Sequence, residues 1–203
     1  MQLPVCKTWT EFERDWYLSQ TWSMPNKHNG ADFTKQGGAY LDLRSPLYAI
    51  AKGKIVYFQR RSTGYGNQVI LRIDGTWGIR WIRYAHCDPE GFPTKLRDVE
   101  EGEEIAKLGN TGNSTAPHLH FEILRVDPGA FLGDINRVPK DICEMVAYWE
   151  DPVSFLKQWM NVSGDCPEPV ITEQTIIPQL GNMRVYEIKS QLDVLAAIRN
   201  MLG

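Results

Sequence analysis

The sequence lacks the long apolar runs and the basic excess that mark two large classes of protein. No run approaches the roughly 18 apolar residues that a membrane-spanning helix needs. Acidic residues outnumber basic ones, 25 against 22, for a formal net charge of −3, so we expect no nucleic-acid partner. The first stretch, MQLPVCKTWTEFERDW, carries three acidic side chains where a secretory signal would be apolar. We therefore expect a soluble protein without a signal peptide.

Cysteine is also scarce, and the four cysteines are scattered along the chain without a CxxC pair. Metal sites built from cysteine need closely spaced pairs, so these thiols are poor candidates for metal ligands. Two disulfides would need an oxidising compartment, which the absent signal does not indicate. We expect free buried thiols at Cys6, Cys87, Cys143 and Cys166.

Short apolar stretches separated by turn residues occupy the middle of the chain. They are rich in β-branched and aromatic residues and read LYAIAKGKIVYFQ, NQVILRI, IRWIRYAH and HLHFEILRV. The segment DGTWG lies between the second and third stretches and predicts a hairpin. Strands at this spacing predict a mainly β fold, an antiparallel sheet or sandwich.

Helical patterns are confined to the ends of the chain. TEFERDWYL predicts a short N-terminal helix capped by Thr10, and DPVSFLKQWM predicts another, with Asp151 as cap and Pro152 at its first position. Residues 161–183 contain three prolines and two glycines, which is typical of a linker. Residues 184–203 place apolar side chains at helical spacing. They predict an amphipathic C-terminal helix that docks on the domain, self-associates or binds a partner.

All four histidines stand in patterns that suit metal chemistry. His118 and His120 are two residues apart before an apolar run, so in a strand both point to one face. His86 ends the stretch RYAH, and His28 precedes Asp32 by four residues in a loop. Two histidines and a carboxylate would supply the three protein ligands of a catalytic zinc site and leave two histidines for proton transfer. The alternative is that each histidine is an ordinary surface or core residue.

The ordered set HNGAD, YAH and GNTGNSTAPHLHFEI resembles the LytM and lysostaphin-type zinc endopeptidases, which cut peptidoglycan peptides. The stretches PLYAIAKGKIVY, GYGNQVIL and VEEGEEIAKLGNTG are similar to the strands and turns of the same family. The match spans roughly residues 25–126. The resemblance implies a LytM-like domain over residues 1–160, with an insertion at about residues 127–150.

The resemblance also implies a role for each histidine, position by position. It makes His86 and His118 the catalytic histidines. It makes His28, Asp32 and His120 the zinc ligands.

Four further residues are candidates for contact with substrate. Tyr17 is the only tyrosine upstream of the first ligand, where family members often have one that assists the reaction. Tyr65 and Asn67 are candidates for lining a groove, although a β-turn accounts for them equally well. Trp77 in the predicted hairpin tip is a candidate for contact with a glycan or peptide.

The function implied by the resemblance is that of a zinc-dependent endopeptidase acting on stem peptides or cross-bridges of bacterial peptidoglycan. Without a signal peptide, we expect a phage-encoded lysin released through a holin or carried by a virion. A different class is a non-catalytic wall-binding or hydrolase-activating module, whose relatives have lost metal ligands; the complete ligand set favours the enzyme. Zinc held only for structure is disfavoured, because structural sites are normally closed by four protein ligands.

Overall fold

The computed structural model describes residues 1–23, 28–37, 40–129 and 133–160. The linker predicted at 161–183, the helix predicted at 184–203 and Cys166 lie outside these residues. Within them, Cys6 and Cys87 are free thiols. Cys87 is fully buried as expected, but Cys6 is partly exposed and Cys143 is exposed, so the expectation of burial is wrong for these two. None of the helices in these ranges has the length and apolar character to cross a bilayer.

The described residues form three short helices and ten strands. The helices are α1 (Trp9–Asp15), α2 (Ile142–Tyr148) and α3 (Pro152–Met160). The strands are β1 (Trp16–Gln20), β2 (Ala31–Lys35), β3 (Pro46–Tyr48), β4 (Gly53–Gln59), β5 (Gln68–Gly75), β6 (Gly78–Ala85), β7 (Arg97–Val99), β8 (Glu104–Lys107), β9 (Leu119–Leu124) and β10 (Trp149–Glu150).

Eight of these strands form one sheet, in the order β1-β2-β9-β6-β5-β4-β7, with β10 also paired to β9. Strands β3 and β8 form a separate two-stranded sheet. Each pairing between these strands is antiparallel. The predicted mainly β, antiparallel fold with short flanking helices is confirmed for this part of the chain.

Strand β9 lies inside the sheet, and all six of its residues are buried. Phe121 points to the core, where its ring meets Phe33 and Tyr84 edge to face at centroid distances of 5.8 and 5.2 Å. Such pairs add about 0.5–1.5 kcal/mol each beyond the area that they bury. Because side chains alternate along a strand, His120 and Glu122 point to the opposite face. The apolar residues of β9 therefore anchor the strand while its polar residues are free to build a site.

The hairpin predicted around DGTWG is present. Strands β5 and β6 pair up to Gly75 opposite Gly78, which leaves Thr76 and Trp77 as the connecting residues. Gly78 has a φ of 76°, a conformation that glycine adopts without the clash of a Cβ atom.

The ends of the helices agree with the sequence prediction in one case and differ in the other. The α3 helix follows Asp151 as expected, and Oδ1 of Asp151 accepts from the N–H of Val153 at 3.0 Å. The prediction for the N-terminal helix is wrong at both ends. Its cap is Thr8, whose hydroxyl accepts from the N–H of Glu11 at 3.1 Å, and residues 16–20 leave the helix to form β1. Pairing with β2 satisfies the backbone groups of this segment, which outweighs a local helical preference.

Candidate metal centre

The pairing of β2 with β9 sets Asp32 directly opposite His120. Opposed residues of an antiparallel pair share one face of the sheet, with Cβ atoms about 4.5–5.5 Å apart. His28 lies just before β2, where its backbone pairs with Ser23 through hydrogen bonds of 3.0 Å in both directions. The imidazole Nδ1 of His28 also lies 2.9 Å from the carbonyl oxygen of Thr21. This bond leaves Nε2 of His28 facing the Asp32 carboxylate.

His28, Asp32 and His120 converge on one point. Nε2 of His28 lies 3.1 Å from Oδ1 of Asp32 and 3.2 Å from Nδ1 of His120. Nδ1 of His120 lies 2.8 Å from the same carboxylate oxygen. Two donors of a tetrahedral zinc ion, each about 2.0–2.1 Å from it, are about 3.3 Å apart. The donor types and their spacing therefore fit a zinc-sized ion held by three protein ligands.

Hydrogen bonds within this group shift the pKa values of Asp32 and His120 in opposite directions. Burial alone would raise the pKa of Asp32, but hydrogen bonds from His120 and His28 hold it well below its usual range. Burial alone would lower the pKa of His120, but hydrogen bonds to Asp32 and Glu122 raise it to about 9. A metal ligand must be deprotonated, so metal binding exchanges the His120 proton for a cation.

His86 follows β6 in a left-handed backbone conformation, with a φ of 59°. Such strain in a residue with a Cβ persists only where the surroundings enforce it; here the N–H of His86 donates to the carbonyl of Tyr65 at 2.9 Å. Its Nδ1 lies 2.8 Å from the carbonyl oxygen of Thr111, so Nδ1 carries the hydrogen and the neutral ring keeps its lone pair on Nε2. Burial, together with the charges of His118 and His120, lowers the pKa of His86 to about 4.

His118 has the same tautomer for the same reason. Its Nδ1 lies 2.9 Å from the carbonyl oxygen of Ala116 and 3.2 Å from the hydroxyl of Ser114. Its Nε2 lies 3.8 Å from Oδ2 of Asp32, and its ring centroid is 4.7 Å from that of His86. Two imidazoles with an available Nε2 therefore stand beside the metal-binding group.

Glu122 is a residue of the candidate site that the sequence did not predict. Its Oε1 accepts from Nε2 of His120 at 2.9 Å and from Nδ2 of Asn29 at 2.8 Å. Its Oε2 accepts from Arg83 at 2.9 Å and from the indole Nε1 of Trp149 at 3.0 Å. A carboxylate on the non-ligating nitrogen fixes the tautomer and orientation of a metal-binding histidine. The signal was present in the sequence, because Glu122 follows His120 by two residues and so shares its face of the strand.

The segment predicted to be an insertion contributes to the surroundings of Glu122. Trp149 lies in β10 and is fully buried. Arg83 is also fully buried, and its guanidinium donates to the carbonyl oxygen of Ile135 as well as to Glu122. Burial alone would raise the pKa of Glu122, but the charge of Arg83 and the hydrogen bond from His120 lower it to about 2. The segment thus contacts both members of the buried Arg83–Glu122 pair, through the carbonyl oxygen of Ile135 and the indole of Trp149.

Two of the residues predicted to contact substrate lie close to the centre. Tyr17 in β1 is 46% exposed. It pairs with Thr34, two residues beyond Asp32 on the same face of the sheet. Tyr65 is buried, with its ring centroid 5.7 Å from that of His120 and its hydroxyl 3.1 Å from Nδ2 of Asn29. Tyr17 thus lies on the strand next to Asp32 and on the same face of the sheet, and Tyr65 packs beside His120.

The other two predicted contact residues lie farther from the metal-binding group. The N–H of Asn67 donates to the hydroxyl of Thr111 at 2.9 Å, which ties the start of β5 to the loop beside His86. Trp77 lies just before β6 and His86 just after it, so nine residues separate them, or about 30 Å at about 3.3 Å per strand residue. Its ring packs on α3, with centroids 5.7 Å from Trp159 and 6.3 Å from Phe155. The structure does not bring Trp77 to the histidines.

Known proteins share both the sequence and the fold of this region. The sequence model of peptidase family M23 matches residues 26–131. The DD-carboxypeptidase/endopeptidase Mpg of Neisseria meningitidis is 36% identical over 105 residues, which cover 52% of this chain and 21% of that relative. The peptidoglycan DD-endopeptidase ShyB of Vibrio cholerae is 34% identical over 97 residues, which cover 48% of this chain and 20% of that relative. The match thus spans about a fifth of the length of each of these curated relatives.

A solved structure extends the likeness beyond the matched residues. The catalytic domain of the antimicrobial peptidase lysostaphin from Staphylococcus simulans superposes with a TM-score of 0.52 and 25% identity. The superposition covers 74% of this chain and 98% of that domain. The resemblance to lysostaphin-type domains seen in the sequence is therefore confirmed.

Proposed function

The chain belongs to peptidase family M23, and from this membership we propose that it is a zinc-dependent endopeptidase that hydrolyses peptide bonds of bacterial peptidoglycan. The observation that carries the proposal is the combination of three converging ligand atoms with two further imidazoles beside them. A site that only held a metal for structure would normally use a fourth protein ligand. Peptidoglycan as the substrate rests on the similarity of this chain to the peptidoglycan DD-endopeptidase ShyB.

In this proposal His28, Asp32 and His120 hold the zinc ion. Bound there, zinc supplies Lewis acidity, which polarises the scissile carbonyl and lowers the pKa of the attacking water. Glu122 keeps Nδ1 of His120 directed at the ion by accepting the hydrogen on Nε2. The buried ligand side chains also keep bulk water away from the inner face of the site, which strengthens each electrostatic interaction there.

His86 and His118 are the proton-transfer groups of the proposal. In each ring the hydrogen bond at Nδ1 leaves Nε2 available, where it can accept a proton from the attacking water and return one to the leaving amine. The lowered pKa of His86, about 4, keeps that ring unprotonated near pH 7 and ready to accept. After one ring has accepted a proton, its charge also stabilises the oxyanion of the tetrahedral intermediate.

The alternative is a module that binds the wall or activates another hydrolase without cutting. Such a role would need neither the converging ligands nor two imidazoles held with a free Nε2. Both features are retained here, so the enzyme is the better-supported function. The cell wall is the proposed place of action in either case.

The deciding experiment is mass spectrometry of peptides released from purified peptidoglycans with different cross-links, with and without a zinc chelator. We expect chelator-sensitive release of new amino and carboxyl ends, and the fragments will identify the bond as a glycine bridge or a D-alanyl link. Elemental analysis of the same preparation identifies the metal. If zinc is bound and no wall releases fragments, the binding or activating role replaces the enzyme.

A further inference from the structure

The candidate catalytic residues lie on one line across the strand ends. Asp32 pairs with His120, and His120 pairs with Ala85, the last residue before His86. On the other side of β5, Gln59 ends β4 at the level where β5 begins. Arg60 and Arg61 follow Gln59 directly. We call this line across the strand ends, from Asp32 through His120 and Ala85 to Gln59, the row. It starts at the metal-binding group and ends beside the two arginines.

The spacing of this row suits an extended peptide. Neighbouring strands lie about 4.8 Å apart, so the three steps from β9 to β4 span about 14 Å. An extended chain advances about 3.3–3.6 Å per residue. A substrate lying across the strand ends would therefore reach the arginines about four residues from its scissile bond.

A hollow of about 510 Å³ lies at this end of the row. Arg60, Arg61, Asn67, Pro89 and Thr111 line it. The carbonyl oxygen of Thr111 accepts the hydrogen on Nδ1 of the candidate catalytic histidine at 2.8 Å. The hollow and the catalytic centre consequently share one wall.

The charge in the hollow is positive and uncompensated. The Arg60 guanidinium donates to the carbonyl oxygen of Pro89 at 3.3 Å and lies over the Phe92 ring at 5.0 Å. Both contacts orient the guanidinium without neutralising it, and donors of its planar fork remain available. The nearby carboxylate of Glu90 is occupied by ion pairs with Arg44 and Lys107. Across the residues that the structure describes, the ion pairs involve neither Arg60 nor Arg61.

We propose that this hollow is a subsite for a free carboxylate of the substrate peptide, held by Arg60 and Arg61. The inference rests on the proposed function and adds a preference within it. A peptide that carries a carboxylate about four residues from the scissile bond is bound better than the same peptide with that group amidated. The chain as a whole is acidic, with a net charge of −3, so the attraction comes from the two arginines and not from a general positive field.

The test compares two synthetic cross-linked stem peptides that contain the bond cut in purified walls. They are identical except that a carboxylate about four residues from the scissile bond is free in one and amidated in the other. We expect the wild-type protein to cleave the free-carboxyl peptide with about tenfold higher kcat/KM, which corresponds to about one charge-assisted hydrogen bond. The preference should appear in KM and shrink at high salt, because exposed charges are screened.

Substitution links the preference to the hollow. The double variant Arg60→Gln, Arg61→Gln should lose the tenfold ratio between the two peptides. The matched control Arg72→Gln, which removes an arginine paired with Asp74 in β5, should keep it. A wild-type protein that cuts both peptides equally well, or a double variant that keeps the ratio, overturns the inference and leaves the proposed function standing.

Discussion

Oε1 of Glu122 lies 2.9 Å from Nε2 of His120, so this carboxylate accepts the hydrogen on Nε2 and leaves Nδ1 of the same ring facing Asp32. In the proposed metal site, the nitrogen of His120 that would bind the ion is thus selected by Glu122, which is not one of the proposed ligands. Glu122 is in turn held by Arg83 and Trp149. The ligand geometry therefore depends on a buried chain of contacts that reaches into the segment before α3.

Replacing Glu122 by Gln keeps the shape of the side chain and removes its charge. The amide cannot balance the buried Arg83, and one of its ends no longer accepts a hydrogen bond. We expect metal affinity to fall about 10- to 100-fold, measured by competition with a chromophoric chelator. The control Glu104→Gln, at an exposed position of β8, should bind metal like the wild type. Unchanged metal affinity in Glu122→Gln would show that Glu122 does not position His120 for metal binding.

Trp149 and Trp159 provide a matched pair of indoles. Both are buried, but only Trp149 donates its Nε1–H to Glu122, whereas Trp159 packs on Trp77. Trp149→Phe and Trp159→Phe should each lower the free energy of unfolding by about 1–3 kcal/mol, through lost packing. Only Trp149→Phe should also weaken metal binding. Equal metal affinity in the two variants would show that the indole hydrogen bond does not position the ligand.

The two histidines of the HxH pair should separate metal binding from turnover. His120→Ala removes a ligand and is expected to lose the metal and the activity together. His118→Ala should keep the metal and lose turnover by about a hundredfold or more, the effect of deleting a general acid–base group. Elemental analysis and peptide release from the wall measure the two properties. A metal-free His118→Ala protein would contradict this division of roles.

Gly30 allows the loop before β2 to approach β9 closely. A Cβ atom at this position would lie 2.6 Å from the carbonyl oxygen of Phe121 and 2.8 Å from Cε1 of His120. Gly30→Ala should therefore displace the His120 ring and reduce both metal affinity and thermal stability. Gly129→Ala is the control, because its Cβ would come no closer than 3.4 Å, to Oδ1 of Asp127. A Gly30→Ala protein with wild-type metal affinity would show that the loop can yield without moving the ring.

Removal of the metal should destabilise the wild-type protein. A ligand that binds only the folded state stabilises it by about 4 kcal/mol at a free concentration of about a thousand times its Kd. We expect a chelator to lower the Tm of the wild type and to leave the Tm of His120→Ala unchanged. An equal response of the two proteins would place the chelator's effect outside this site.

Local patterns in the sequence were sufficient for much of the fold. Short apolar stretches rich in β-branched and aromatic residues predicted the strands, DGTWG predicted the β5–β6 hairpin, and Asp151 with Pro152 predicted the start of α3. The two-residue spacing of His118 and His120 predicted that both rings would lie on one side, and both do approach Asp32. These features depend on the side-chain periodicity of a strand or on the residues of a turn. Residues that are close in sequence determine both the periodicity and the turn.

The tertiary structure decided what neighbouring residues could not. It moved the N-terminal cap from Thr10 to Thr8 and turned residues 16–20 into an edge strand, because a partner strand was available for them. It placed Asp32 opposite His120, 88 residues away, and gathered Arg83 and Trp149 around Glu122. The register of β2 against β9 follows from which apolar side chains pack together across the sheet, and a shift by one residue would turn the ligands to the wrong face. Residue type and local period thus determined which groups could form the site, and long-range packing decided which of them meet.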